Sequence, residues 1–382
     1  MNPPPLHIMI LTGEPSGDFH AAFLIQALNQ IDPNLRISGI GGPGMKKQGA
    51  KLFFPIERLS AMGLVQVIKQ LGTIKEAFRT VRARLTSDRP DIVVLIDYPG
   101  FNLRVAKYIK ENTRIPVCYY IAPKVWAWNS ARLDKIKAYV DHVALIFPFE
   151  SPIYKQRKIA ATYVGNPLMD EYPRLLPPPA QGTRKPNKII GLLPGSRRSE
   201  IQTLLPVMLG ASQKIKKIHP DAKIIVSAGS KQNQDRIQTI IKNQGLDGSY
   251  KIIEGRPLSI FEQADMLIAA SGTVTLEAAL CGLPTIIVYK LSPIAYRLAR
   301  LVVKIKYAGL ANLIMGREVM PELLQGDANP EQICQTAISM LNTLEAHREK
   351  LAGVRQRLGS PGAPKRTAQI ILNLIKASAS NP

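Results

Sequence analysis

The sequence predicts an α/β protein built from two doubly wound parallel-sheet halves. Three features lead there: a length of 382 residues, short apolar runs alternating with longer helical stretches, and a Pro-rich break near the middle. Single cores rarely grow past roughly 250–300 residues, so a chain this long is expected to divide. Hydrophobic residues make up 46% and charged residues 20%, which suits an ordinary globular protein.

In the first half the expected strands are Leu6–Leu11, Leu35–Ile40, Ile92–Ile96, Pro116–Ile121 and His142–Ile146. Several are apolar throughout, as parallel strands covered on both faces must be. Helical patterns such as Asp18–Leu28 and Ile74–Leu85 lie between them. In the second half the expected strands are Lys188–Leu193, Ala222–Ser227, Lys251–Ile253, Met266–Ala269 and Pro284–Val288, again with helices between. The stretch from Tyr172 to Asn187 is rich in Pro and polar residues and reads as a linker. The expected division is therefore a domain over residues 1–172, a linker over 173–187, a second domain over 188–355, and a C-terminal helix and tail over 356–382. Ligands of open α/β sheets bind at the carboxyl ends of the strands, so a cleft between the two halves is the expected site.

Lys and Arg number 50 against 28 Asp and Glu, a net charge of +22. Such an excess attracts polyanions. No zinc finger, helix-turn-helix or RNP signature is present, and aromatics are only 6%, so nucleic acid is not the expected partner. An anionic membrane surface and phosphate-bearing substrates are. The three cysteines, Cys118, Cys281 and Cys334, lie far apart and form neither a metal spacing nor a disulfide framework. The opening Met-Asn-Pro-Pro-Pro lacks the pattern of a signal peptide, and no run nears the roughly 18 apolar residues that span a bilayer. A cytoplasmic location is expected.

The first βα turn, Gly13-Glu-Pro-Ser-Gly-Asp18, follows a strand and opens a helix. Ser16 or Asp18 can cap that helix. Glu14 is a candidate to hold or deprotonate a sugar hydroxyl, with a plain capped turn as the alternative, while His20 reads as a packing or surface histidine. Gly39-Ile-Gly-Gly-Pro-Gly44 satisfies a dinucleotide pattern, but it does not follow the first strand and Pro43 interrupts it, so no nicotinamide cofactor is expected. Ile96-Asp97-Tyr-Pro-Gly-Phe-Asn102 ends an apolar strand on a carboxylate. Asp97 is a general-base candidate or a cap, and Asn102 is its orienting partner or another cap. Ala122-Pro-Lys-Val-Trp-Ala-Trp128 carries both tryptophans, and Trp126 suits a sugar face as well as it suits a core.

The second half holds two phosphate-type loops. Leu193-Pro-Gly-Ser-Arg-Arg-Ser-Glu200 leaves a strand and starts a helix; its backbone N–H groups, Ser196 and Arg197 make a diphosphate cradle. Ser271-Gly272-Thr273 repeats that logic, and Glu277, one turn on, is a candidate to accept ribose hydroxyls, with an exposed helix carboxylate as the alternative. No metal-binding pattern occurs, so neither metal nor cofactor is expected. Finally, Ser60–Leu85 combines an apolar stripe with Lys69, Lys75, Arg79, Arg82 and Arg84. Met62, Leu64, Val65, Val67, Ile68 and Leu71 are the candidate membrane contacts there, with core packing as the alternative. Lys304-Ile-Lys-Tyr-Ala-Gly is a second basic-apolar patch.

Together these motifs resemble one family, the lipid-A-disaccharide synthases. Besides the loops above, the matching pieces are Met62-Gly63, Phe147-Pro-Phe-Glu150, Val164-Gly-Asn-Pro167 and Leu310-Ala-Asn-Leu313, in the family's order over roughly residues 8 to 325. The resemblance implies a GT-B fold and an inverting transfer from a UDP-2,3-diacylglucosamine donor to a 2,3-diacylglucosamine 1-phosphate acceptor. It implies Asp97 as general base, with Glu14 beside the acceptor. Ser196, Arg197 and the Ser271–Thr273 loop are then assigned to the diphosphate, Glu277 to the ribose and Asn312 to the nucleotide site. A peripheral place on the cytoplasmic face of the inner membrane follows from the acylated substrates, and a homodimer is compatible with the sequence. The competing readings are a sugar-nucleotide epimerase and a non-catalytic basic binding protein.

Overall fold

The computed structural model describes residues 4–59, 66–123, 125, 131–172, 188–292, 296–297 and 306–380, with the backbone alone for 66–70. The expected linker over 173–187 lies outside the described residues, as do Met62, Leu64, Val65, Trp126 and Lys304. The side chains of Val67 and Ile68 do as well. The chain divides into two α/β units, Met1–Asp170 with Ser360–Pro382, and Glu171–Gly359.

The first unit carries seven parallel strands: β1 His7–Leu11, β2 Arg36–Gly41, β3 Lys51–Pro55, β4 Ile92–Ile96, β5 Val117–Tyr120, β6 His142–Leu145 and β7 Ala161–Tyr163. Their order is β3-β2-β1-β4-β5-β6-β7. All five residues of β1 and of β4 are buried, because helices cover both faces of the sheet, and both runs are almost wholly apolar. The winding reverses between β1 and β4, where Met9 pairs with both Ser38 and Val93. The loops that leave these two strands are Thr12–Glu14 and Asp97–Tyr98, so the reversal places the Glu14 and Asp97 turns side by side.

The second unit repeats the plan with β8 Ile189–Leu193, β9 Lys223–Ala228, β10 Lys251–Glu254, β11 Met266–Ala270, β12 Thr285–Tyr289 and β13 Glu322–Leu324. The order is β10-β9-β8-β11-β12-β13, again parallel. Here the reversal brings together the loops after β8 and β11, which are the two phosphate-type loops of the sequence. Each unit has its own buried aliphatic cluster.

Three strands were not anticipated. β3, β7 and β13 lie at sheet edges, and β7 and β13 have only three residues each, too short to show a pattern. β3 ends on Pro55, a residue that edges tolerate.

The helix Ala363–Ala379 packs on the helix Pro15–Ile31 and so completes the first unit. The Asp170 carboxylate accepts from the N–H groups of Gly362 (2.7 Å) and Ala363 (3.3 Å) at its start. Arg366 donates its Nε–H to the Val164 carbonyl at 2.7 Å. The helix Gln66–Asp88 buries Ala77, Val81 and Leu85 in the core and leaves Leu71 54% exposed. Thus the later part of the Ser60–Leu85 stripe is core-facing, as spacing three and four residues apart requires. No helix of the described residues is long and apolar enough to cross a membrane.

Candidate active site

In the first unit the site grows from backbone constraint. Asp97 and Tyr98 both sit in the left-handed region, with φ of 47° and 45°. A side chain there is strained by of order 1–3 kcal/mol per residue and persists only where neighbours hold it. Asn102, fully buried one turn into the helix Pro99–Asn112, supplies that hold. Its Nδ2 donates to the carbonyls of Asp97 (2.8 Å) and Ile96 (3.2 Å). The buried Tyr119 hydroxyl donates to the same Asp97 carbonyl at 2.7 Å. The half-buried Asp97 carboxylate is therefore aimed by a backbone pinned from two sides. Burial, and the Asp97 charge after it, push the Tyr119 phenol well up, so Tyr119 stays a neutral donor.

Tyr98 faces the first turn. A Cβ on Gly13 would lie 2.2 Å from the Tyr98 ring, so only glycine lets the Glu14 turn approach the Asp97 turn this closely. Burial and then the nearby Glu14 carboxylate raise the Tyr98 phenol pKa. Glu14 is half-buried and occupies the cap position of the helix Pro15–Ile31 without a side-chain capping bond. Ser16 is exposed on the first turn. Burial lowers the His20 pKa to about 4, which keeps the ring neutral.

The Gly39–Gly44 loop and Asp18 explain each other. Asp18 is buried and does not cap its own helix; its carboxylate accepts from the N–H groups of Gly42 (2.7 Å), Gly44 (2.8 Å) and Met45 (3.1 Å). The amino end of the short helix Pro43–Lys47 is thus occupied by an internal carboxylate. The capping role expected for Ser16 or Asp18 is corrected accordingly.

In the second unit the loop after β8 turns at Gly195, φ 103°. Its cradle differs from the expectation. The Glu200 carboxylate accepts from the N–H groups of Ser196 and Arg197, each at 3.2 Å, and pairs with Arg197 at 3.6 Å. Those two backbone donors are engaged, which leaves the Ser196 hydroxyl and the 56% exposed Arg197 guanidinium to meet a ligand. Asn233 supports the loop by donating to the Ser196 carbonyl at 3.0 Å, and Arg236 donates to Asn233 Oδ1 at 2.6 Å.

The loop after β11 opens the helix Thr273–Leu280. A Cβ on Gly272 would meet nothing within 4 Å, and Gly272 and Thr273 are exposed, so the turn is open to a ligand. Ser271 is less available, since its hydroxyl donates to the Ala308 carbonyl at 3.2 Å. Glu277 accepts from the Tyr172 hydroxyl at 2.8 Å. Burial raises its pKa, against the opposing pull of Tyr172 and Arg256.

Asn312, which the resemblance assigns to the nucleotide site, is held within the second unit. It is fully buried, and its amide is consumed inside the fold. Nδ2 donates to Met320 O and Glu322 Oε1, both at 2.7 Å, while Oδ1 accepts from Val319 N (2.7 Å) and Met320 N (2.9 Å). Glu322 in turn accepts from the N–H groups of Ala308 and Gly309. Asn312 and Glu322 therefore shape the segment that Ser271 touches. Glu322, Tyr119, Tyr172, Asn233 and Glu200 carried no role in the sequence reading. Only Glu200 had a local signal, a Glu three residues past a helix cap. Among the described residues no group of three or more His, Cys, Asp or Glu could hold a metal ion.

Two Rossmann-like units, each with a pair of loops at its winding reversal, make a GT-B fold. Solved structures of that architecture include MurG from Acinetobacter baumannii, with TM-score 0.59 and 18% identity over 97% of this chain and 100% of that one. UDP-GlcNAc 2-epimerase from Neisseria meningitidis has TM-score 0.65 and 12% identity over 96% and 100%. At such identities the likeness is one of fold. Sequence comparison is more specific: residues 8–369 match the lipid-A-disaccharide synthetase family, and the chain belongs to it. The lipid-A-disaccharide synthase of Trichlorobacter lovleyi is 38% identical over 98% of this chain and 99% of its own length. That of Nitrosococcus oceani is 37% identical over 97% and 96%. The protein is a glycosyltransferase of lipid A biosynthesis and acts at the disaccharide-forming step.

Proposed function

We propose that the protein transfers the sugar of UDP-2,3-diacylglucosamine to the 6-hydroxyl of 2,3-diacylglucosamine 1-phosphate, giving UDP and a β-1,6-linked disaccharide 1-phosphate. The observation that carries this reading is the family match over nearly the whole chain. The acceptor oxygen attacks the donor's anomeric carbon with inversion, the bond to the diphosphate breaks, and UDP leaves with the electron pair. Asp97 takes the hydroxyl proton, and Glu14 holds the acceptor sugar. Support comes from the left-handed, doubly pinned backbone of Asp97, a strained geometry of the kind that clusters at functional sites.

Ser196, Arg197 and the open Gly272–Thr273 turn meet the diphosphate, so that its developing charge faces a guanidinium and a helix amino end. Glu277 receives the ribose hydroxyls in place of the Tyr172 hydroxyl, and Trp126 stacks on a sugar. The protein works peripherally on the cytoplasmic face of the inner membrane, with exposed Leu71 and the preceding apolar residues touching lipid and the +22 charge drawing it to anionic headgroups.

The test is one incubation of pure protein with both acylated sugars, read by mass spectrometry. Disaccharide phosphate and UDP are expected only when both substrates are present. UDP release from donor alone, or epimerised donor, would overturn the proposal. Asp97→Ala is expected to lower kcat about 10²-fold or more with folding intact; a near-normal rate would move the proton to Glu14.

A further inference from the structure

The first unit contains a groove of about 350 Å³ between the helices Gln66–Asp88 and Pro99–Asn112, lined by Ile74, Phe78 and Phe101 and rimmed by Lys75, Arg79 and Arg104. We propose that this groove holds one acyl chain of the acceptor and so helps the enzyme recognise acylated sugars. The inference rests on the reading above, in which Asp97 serves the acceptor hydroxyl.

Three observations converge. The walls are carbon: Phe78 meets Phe101 edge-on with ring centroids 6.4 Å apart, and these rings with Ile74 leave space that their own packing does not fill. The rim is cationic: Lys75, Arg79 and Arg104 are exposed, and none forms an ion pair with another described residue. An apolar slot with a cationic mouth fits an anionic amphiphile and rejects a basic peptide. The position is the third observation. Phe101 lies in the first turn of the helix that Asp97 and Tyr98 lead into, and its ring is 6.1 Å from that of Tyr98. The groove wall is thus linked through Tyr98 to the Asp97 turn. A methylene fills about as much room as a liquid water, roughly 30 Å³, so the groove accommodates on the order of ten methylenes.

The test replaces Ile74→Trp, which fills the groove from a half-buried helix position, and uses acceptors with long chains or with acetyl groups only. Each methylene kept out is expected to cost about four-fold. The wild type should prefer the long-chain acceptor. Ile74→Trp should lower kcat/KM for it by about ten-fold or more and leave the acetylated acceptor unchanged. Calorimetric titration of acceptor alone into both proteins should show the same difference in Kd. That binding readout does not depend on turnover, so failure to form disaccharide would strike the proposed reaction while the groove is still judged by Kd. Equal losses for both acceptors, or a loss that tracks donor chain length, would overturn the groove assignment. So would an acceptor preference unchanged in Ile74→Trp, including the case where that variant instead loses sedimentation with phosphatidylglycerol vesicles.

Discussion

Replacing Asn102 by Ala tests the central structural argument, that a strained backbone is held in order to aim Asp97. Two left-handed residues, Asp97 and Tyr98, carry together roughly 2–6 kcal/mol of backbone strain. Against it stand the Asn102 bonds to the Asp97 and Ile96 carbonyls and the Tyr119 bond to Asp97, each contributing about 1 kcal/mol net. Asn102→Ala removes two of the three and leaves a small hole at a fully buried site. The expected loss is about 2–3 kcal/mol of the first unit's stability, read by urea unfolding. The strain then exceeds the one remaining bond, so the Asp97 turn relaxes away from its left-handed geometry. Because this moves the proposed base and not the donor loops, kcat should fall at least ten-fold while KM for the UDP-sugar stays within about two-fold. The assay is UDP release at saturating substrates, corrected for folded fraction. A variant that loses stability but keeps its kcat would show that the turn geometry is irrelevant to chemistry. One that keeps its stability would refute the account of the strain.

Other outcomes follow from the same contacts. Gly13→Ala puts a Cβ 2.2 Å from the Tyr98 ring and should cost about 1–3 kcal/mol and most of the activity, with stability largely restored in a Gly13→Ala, Tyr98→Ala double variant. His20 has a folded pKa of about 4, below its ordinary 6.5, so the stability it contributes is full above pH 6.5 and lost as pH falls through about 4. His20→Gln should flatten that acid limb in thermal melts between the two values. Glu277 has a raised folded pKa, so its contribution is full below about pH 4.5 and is lost as pH rises through the folded value. Glu277→Gln should remove that slope and raise KM for the UDP-sugar about ten-fold. Asn312→Ala strands two N–H groups and a carbonyl, and should cost about 3 kcal/mol or more in chemical unfolding. A mere rise in donor KM with unchanged stability would place Asn312 at the nucleotide site.

The central strands were legible because burial on both faces writes itself into the chain as unbroken apolar runs, as in Ile92–Ile96 and Met266–Ala270. The edge strands β7 and β13 were not, because three residues, none of them fully buried, carry no period. The ligand-facing loops were legible from their setting after a strand and before a helix. The partners of their side chains were not. Asp18 bonds a loop more than twenty residues away, and Tyr172 reaches Glu277 from 105 residues away.

The sequence by itself determined two parallel-sheet halves, the order of their loops and the family to which the chain belongs, because these depend on local periodicity and on residues adjacent in the chain. Only the tertiary structure decided that Glu200 occupies two donors of the phosphate loop, that Asn312 is spent inside the fold, that Asn102 and Tyr119 pin a left-handed Asp97, and that the last helix completes the first unit. A side chain's spare hydrogen-bonding capacity is what remains after its neighbours in space have been served, and those neighbours are chosen by the packing of distant segments.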